Sequence, residues 1–182
     1  MEFGKVNSAR TAQILVDNFE PDYVINIGVA GGINSDLNIG DIVIGKNLVQ
    51  YDFDLTKIGD YEKGEICEIG KYIYSDEKLV NLCEEISKEI DINTKIGTIG
   101  TADKFLADKD EANKIREIFN ADCAEMEGAA IAQVCYLSKV PFLVIRGISD
   151  VMNGNNKVDF REFIKSSSEK TAVILKKLIA KL

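Results

Sequence analysis

The chain has 182 residues, enough for one domain that buries about 70% of its unfolded surface. Its 22 Lys and Arg against 30 Asp and Glu leave a net charge of −8 at pH 7, which excludes the basic footprint that nucleic acid or an anionic membrane requires. Histidine is absent, so a Ser-His-Asp triad, a Cys-His pair and a His-ligated metal are excluded, and proton transfer falls mainly to carboxylates.

Strand-like and helix-like segments alternate along the chain. Residues 5–19 place Val6, Ala9, Ala12, Ile14, Leu15 and Phe19 at roughly helical spacing before Pro21, which predicts an amphipathic helix. Residues 22–32, DYVINIGVAGG, form a short apolar strand running into glycines, and 41–49, DIVIGKNLV, form a second strand. Residues 50–74 are irregular and rich in Asp, Gly and aromatics, as in an excursion or flap. Ser75 is the expected cap of a helix with Asp76 and Glu77 in its first turn and Leu79, Leu82 and Ile86 on its inner face.

TKIGTIGTA (94–102) is β-branched and glycine-punctuated, hence a strand. Asp108 and Glu111 form a capping-box-like start for a helix over 109–119. CAEMEGAAIAQVCYLS (123–138) reads as a strand end entering a closely packed, Ala- and Gly-rich helix. PFLVIRGISD (141–150) is the central strand, apolar on both faces. Asp159 and Glu162 cap a final helix with Phe160, Phe163, Ile164, Ser167, Thr171, Ile174, Leu175, Leu178 and Leu182 on one face. No repeat or domain boundary interrupts the series. The expected architecture is a single α/β domain, three layers α/β/α around a mostly parallel mixed sheet.

The four cysteines form no C-x-x-C pair, and MEFGKVNSAR lacks the apolar stretch of a secretory signal. No apolar run reaches the roughly 20 residues that span a bilayer. A cytoplasmic protein with reduced thiols, no metal and no membrane partner is the expectation.

In such sheets ligands sit beyond the carboxyl ends of the strands, and three segments end apolar strands there. Gly28-Val29-Ala30-Gly31-Gly32 lets the backbone approach a ligand or simply makes a tight turn; it is neither G-x-G-x-x-G nor a P-loop. Glu125-Met126-Glu127 sits at a strand-to-helix junction, where i and i+2 side chains diverge: either one carboxylate faces the crevice and the other serves a structural bond or solvent, or the acids simply complement the helix dipole. Arg146-Gly147-Ile148-Ser149-Asp150 brings a cation and an acid to a buried strand. They serve a structural salt bridge or N-cap, or the acid is held so that it can donate a proton.

Taken in order, FGKVNSA, NIGVAGG, GDIVIG, TADKFL, AEMEGAAIAQVC, PFLVIRGISD and DFREF resemble the purine nucleoside phosphorylase/uridine phosphorylase superfamily. The match is nearest to its hydrolytic branch, the 5′-methylthioadenosine/S-adenosylhomocysteine nucleosidases. The resemblance implies that Asp150 protonates purine N7 with Ser149 holding its carboxylate. It implies that Glu127 accepts hydrogen bonds from the ribose hydroxyls while Met126 packs on the sugar. Phe105 would stack on the base, Leu106 give backbone bonds to its edge, Gly31 line the pocket and Phe160 close over the 5′ substituent, with Val29, Glu125 and Arg146 in support. No cofactor is implied, and a homodimer is.

Two departures accompany the resemblance. The family carries a water-activating glutamate on a strand preceding the FGKVNSA segment, where this sequence begins, so the resemblance assigns no residue here to that role and a free sheet edge is expected. Val29 stands where the nucleosidases commonly have serine. The rival readings are a phosphorolytic relative, disfavoured because residues 21–45 contain no Lys or Arg, and a non-catalytic nucleoside-binding module.

Overall fold

The computed structural model describes residues 3–151 and a helix over 160–182, with side chains described from residue 168 onward in that helix. The elements run α1 (Lys5–Phe19), β1 (Val24–Gly32), β2 (Ile42–Gln50), β3 (Ile73–Tyr74), α2 (Glu77–Glu89), β4 (Thr94–Thr101), α3 (Lys109–Phe119), β5 (Cys123–Glu125), α4 (Gly128–Ser138), β6 (Phe142–Val151) and α5 (Phe160–Lys181).

The strands form one mixed sheet in the order β3-β2-β4-β5-β1-β6. The long ladders β1–β6 and β2–β4 are parallel, as is β4–β5. Antiparallel pairs join β1 to β5 and β2 to β3. β6 also turns back onto β2, pairing Ile42 with Gly147 through Gly45 with Val144, so the sheet curls and closes on itself. The opposite edge of β1 meets β5 only at Gly31 and Gly32. Residues 24–30 therefore have no ladder partner on that side among the described residues, the free edge expected from the sequence.

Helices cover both sides. α2 and α5 pack on Ile42, Ile44, Leu143 and Ile145 through Leu79, Ile86, Ile174 and Leu178. On the other side Ala129, Ile131, Ala132 and Cys135 of α4 meet Val144 and Ile148, with Ala12 of α1 behind them. A third cluster seats Ile115 and Phe119 of α3 against Leu106 and Ala124.

Three local expectations need correction. α1 buries only Ser8 and Ala12, while Val6 and Phe19 are 77% and 72% exposed. The helix lies on α4 through its small residues, so Val6 and Phe19 are left uncovered among the described residues. The cap of α2 is Asp76, whose carboxylate accepts from the Leu79 N–H at 2.9 Å, whereas the buried Ser75 Oγ has no partner. Only a side chain in the N-cap position reaches the third amide of the helix. On α5, Thr171, Ile174 and Leu178 are buried, but Leu182 is exposed beyond the last turn. The expectations for Asp159, Phe160, Glu162, Phe163, Ile164 and Ser167 lie outside the described residues.

Asp108 does cap α3, accepting from the Glu111 N–H at 2.7 Å. After Gln50, which ends β2, the 50–74 segment holds β3 and two isolated bridges, Asp54–Lys63 and Ile66–Gly70. Cys83, Cys123 and Cys135 are buried and Cys67 is exposed, all unpaired. Burial pushes the Cys83 thiol up to about 12 and that of Cys135 to about 11, which leaves both inert as nucleophiles. No described helix is long and apolar enough to cross a membrane.

Candidate active site

The carboxyl ends of β1, β4, β5 and β6 meet around one cleft of about 280 Å³, lined by Gly31, Lys104, Phe105, Leu106, Ala124, Glu125, Met126 and Asp150. Two parallel pairs, β1/β6 and β4/β5, run in opposite directions and meet at their carboxyl ends, where Gly31 and Gly32 of β1 pair antiparallel with Ala124 and Cys123 of β5; the loops that leave these ends line the cleft. A local irregularity then aims the acid. The β1–β6 register slips between Ala30 and Gly31, pairing Ala30 with Ile148 and Gly31 with Asp150. Ser149 is the additional residue in β6, and such bulges redirect side chains beside active sites. Asp150 thereby faces the cleft across from Gly31, and the Ser149 hydroxyl lies 2.8 Å from Asp150 Oδ1 and 3.3 Å from the Ala30 carbonyl oxygen.

The two carboxylates of the AEMEG segment are separated as strand and helix geometry require. Glu125 is saturated. It accepts from the hydroxyl of Thr101, from the Glu127 N–H at 3.0 Å, from the Gly128 N–H at 2.9 and 2.8 Å and from Arg146 Nε at 3.1 Å. Arg146 Nη2 completes a buried ion pair with the same oxygen. These bonds make Glu125 the structural clamp between β5, β6 and the first turn of α4. Glu127 lies beside it, with its side chain 16% exposed and Oε2 3.9 Å from Arg146 Nη2. Its other oxygen accepts from the Gly4 N–H at 3.2 Å. Burial, and then the neighbouring Glu125 charge, raise the pKa of Glu127.

Of the residues singled out in the sequence, Gly31, Phe105, Leu106, Glu125, Met126 and Asp150 converge on the cleft. Phe105 is 63% exposed at its edge and Leu106 is buried. Ser149 and Arg146 act from behind, through Asp150 and Glu125, and Glu127 stands next to the lining residues rather than among them. Val29 does not line the cleft; strand alternation puts it on the side of Ile25 and Ile27, which pack with α2 and α5. The Phe160 side chain lies outside the described residues. Sequence reasoning missed Lys104, although it sits inside the TADKFL motif. Lys104 Nζ donates to both carboxylate oxygens of Glu111, at 2.8 and 2.6 Å. Thr101, which locks Glu125 and accepts from the Ala129 N–H at 2.8 Å, was legible only as part of a strand. Among the described residues no group of three or more Cys, Asp or Glu converges as metal ligands.

A curled, mostly parallel sheet with a cleft at its strand ends, an acid beside a bulge and a clamped glutamate next to a second carboxylate defines an α/β enzyme fold of the nucleoside phosphorylase type. The chain belongs to the phosphorylase superfamily, whose sequence profile matches residues 2–180. It is 40% identical over 181 residues to the aminodeoxyfutalosine nucleosidase of Campylobacter jejuni, a match spanning 100% of this chain and 79% of that protein. It is 39% identical to the 5′-methylthioadenosine/S-adenosylhomocysteine nucleosidase of Bacillus subtilis, over 98% of this chain and 78% of that protein. Among solved structures, that of the Campylobacter jejuni 5′-methylthioadenosine/S-adenosylhomocysteine nucleosidase superposes with a TM-score of 0.94, at 40% identity, over 99% of this chain and 78% of the other. The Helicobacter pylori nucleosidase bound to butyl-thio-DADMe-Immucillin-A superposes at 0.93 with 34% identity, over 100% and 78%.

Proposed function

We propose that the chain hydrolyses the N-glycosidic bond of a 5′-substituted adenosine, such as methylthioadenosine or S-adenosylhomocysteine, and releases adenine. One observation carries the reading: the Asp150 carboxylate, held by Ser149, opens into the same cleft as Phe105 and Leu106. Adenine is a poor leaving anion, so the reaction needs a proton delivered to the purine as the bond lengthens. Asp150 supplies it at N7, and the base leaves neutral. The sugar passes through an oxocarbenium-like state. Glu127, next to the cleft, accepts from the ribose hydroxyls, and its negative charge favours the positive charge growing on the ring. Phe105 offers a face to the base, Met126 packs against the sugar, and Gly31 leaves room where a side chain would intrude.

The electrostatics favour water over phosphate as the acceptor. Among the described residues, Lys104 of the cleft lining is paired with Glu111 and Arg146 behind it with Glu125, whereas phosphorolysis needs cationic donors for the anion. A homodimer in the cytoplasm completes the proposal. Val6 and Leu137 are exposed along a groove of about 630 Å³ between α1 and α4, an apolar surface suited to a second copy. Sedimentation should then give a dimer that V6E/L137E splits; a wild-type monomer at micromolar concentration would refute it.

The direct test is adenine release from methylthioadenosine with and without phosphate. Release at the same rate in both supports hydrolysis. Strict dependence on phosphate would assign the chain to the phosphorolytic relatives, and tight binding without release would make it a nucleoside-binding module.

A further inference from the structure

The contact between Gly28 and Arg146 links the glycine-rich half of β1 to the Glu127 carboxylate. Gly28 pairs with Arg146 in the β1–β6 ladder. A Cβ built on Gly28 would lie 2.6 Å from Arg146 Nη1 and 3.1 Å from Cζ, so the guanidinium lies flat across the glycine. Gly28 has an ordinary negative-φ backbone, as it is absent from the positive-φ glycines. Glycine is needed here for space, not for conformation. Laid across that position, the fully buried Arg146 side chain reaches β5 and the start of α4. There it meets Glu125 through Nε and Nη2 and approaches Glu127 Oε2 with the same Nη2.

Resting on the function proposed above, we infer that Arg146 is a positioning residue that holds the Glu127 carboxylate toward the sugar, and that Gly28 provides the slot that aims it. The chain of contacts has two arms. Glu125 anchors the guanidinium and also accepts from the Glu127 backbone N–H, which fixes where the side chain of Glu127 starts. Arg146 and the Gly4 amide then bracket its carboxylate from two sides. An Ala at position 28 would put its Cβ 2.6 Å from Arg146 Nη1, so the guanidinium must shift, and a shift pulls on the bonds that Nε and Nη2 make with Glu125. Lysine at 146 keeps the charge but lacks the planar fork that engages two carboxylates together.

The test measures what Glu127 does for the ligand, not only whether the protein is intact. Affinities for methylthioadenosine and for its 2′,3′-dideoxy counterpart are determined by calorimetry for wild type, G28A and R146K, each carrying D150N so that the nucleoside survives the titration, with I145V in the same background as a core-destabilised control; kcat/KM is read in chains that keep Asp150. Wild type and I145V should favour the hydroxylated nucleoside by about 10- to 100-fold, as a charged hydrogen-bond acceptor allows. In G28A and R146K that ratio should fall to within about threefold of unity, and kcat/KM should drop by about 100-fold, the scale of an ångström misplacement. Either variant that remains folded suffices. A wild-type ratio retained in a folded G28A or R146K overturns the inference and leaves the functional reading standing. A wild-type chain that binds neither nucleoside overturns both.

Discussion

Replacing Glu125 by glutamine probes the clamp behind the cleft and tests the electrostatic reasoning most severely. The Glu125 and Arg146 side chains are each only 2% exposed, so neither charge has water to fall back on. The Glu125 carboxylate accepts from five donors: the Thr101 hydroxyl, the Glu127 and Gly128 amides, and Arg146 Nε and Nη2. An amide has one acceptor oxygen, and its NH2 must face some of those donors. The larger effect is on Arg146, which is left as a buried cation without its counter-charge, a loss of about 3–5 kcal/mol. Whole-domain stability is on the order of 5–15 kcal/mol, so E125Q should remain folded at room temperature with little margin. With a urea slope of about 2 kcal/mol/M, the midpoint should fall by about 1.5–2.5 M at unchanged slope. The double variant E125L/R146M, which removes both charges together, should recover much of the loss, because no ion is then stranded. A midpoint shift below about 0.5 M for E125Q, or a double variant as unstable as the single one, would refute the argument.

D150N should lower kcat/KM for methylthioadenosine by about 100- to 10,000-fold while nucleoside affinity holds. Cleavage of 4-nitrophenyl riboside, whose leaving group needs no proton, should be nearly unaffected; equal losses on both substrates would remove Asp150 from its role as acid. Glu127 has a raised pKa, by burial first and then by Glu125. Its stabilising contribution is therefore complete below the ordinary carboxylate range and is lost as pH rises through the higher folded value. E127Q should accordingly melt above wild type at pH 8 and match it at pH 4, and thermal scans showing the reverse order would contradict the sign. Loss of the α2 cap in D76A should cost about 1 kcal/mol in urea unfolding, whereas S75A, which removes an unpartnered hydroxyl, should cost nothing; the opposite ranking would restore Ser75 as the cap.

How far the sequence carries depends on the range over which each feature is decided. The helix over 109–119 and its Asp108 cap were legible because capping acts within one turn. The β6 run was legible because a strand buried on both faces is continuously apolar. α1 deceived for the same reason. Its spacing advertises a buried stripe, yet which face is covered depends on a neighbour 120 residues away, and that neighbour offers room only for Ser8 and Ala12. Of the cleft lining, Asp150 and Phe105 could be named from the ordered motifs, with Glu127 beside it. The one-residue slip that turns Asp150 into the cleft and the partner that occupies Glu125 could not.

Residue identity and short-range periodicity thus determined the alternating α/β order, the reliance on carboxylates in a chain without histidine, and the membership of the acids in one family of motifs. Folding alone decided that β6 closes back onto β2, that Ser149 becomes the bulge, and that Gly28 makes way for a buried arginine. These are contacts between residues far apart in the chain. Their free energies come from packing, desolvation and pairing in three dimensions, and no local pattern of side chains contains them.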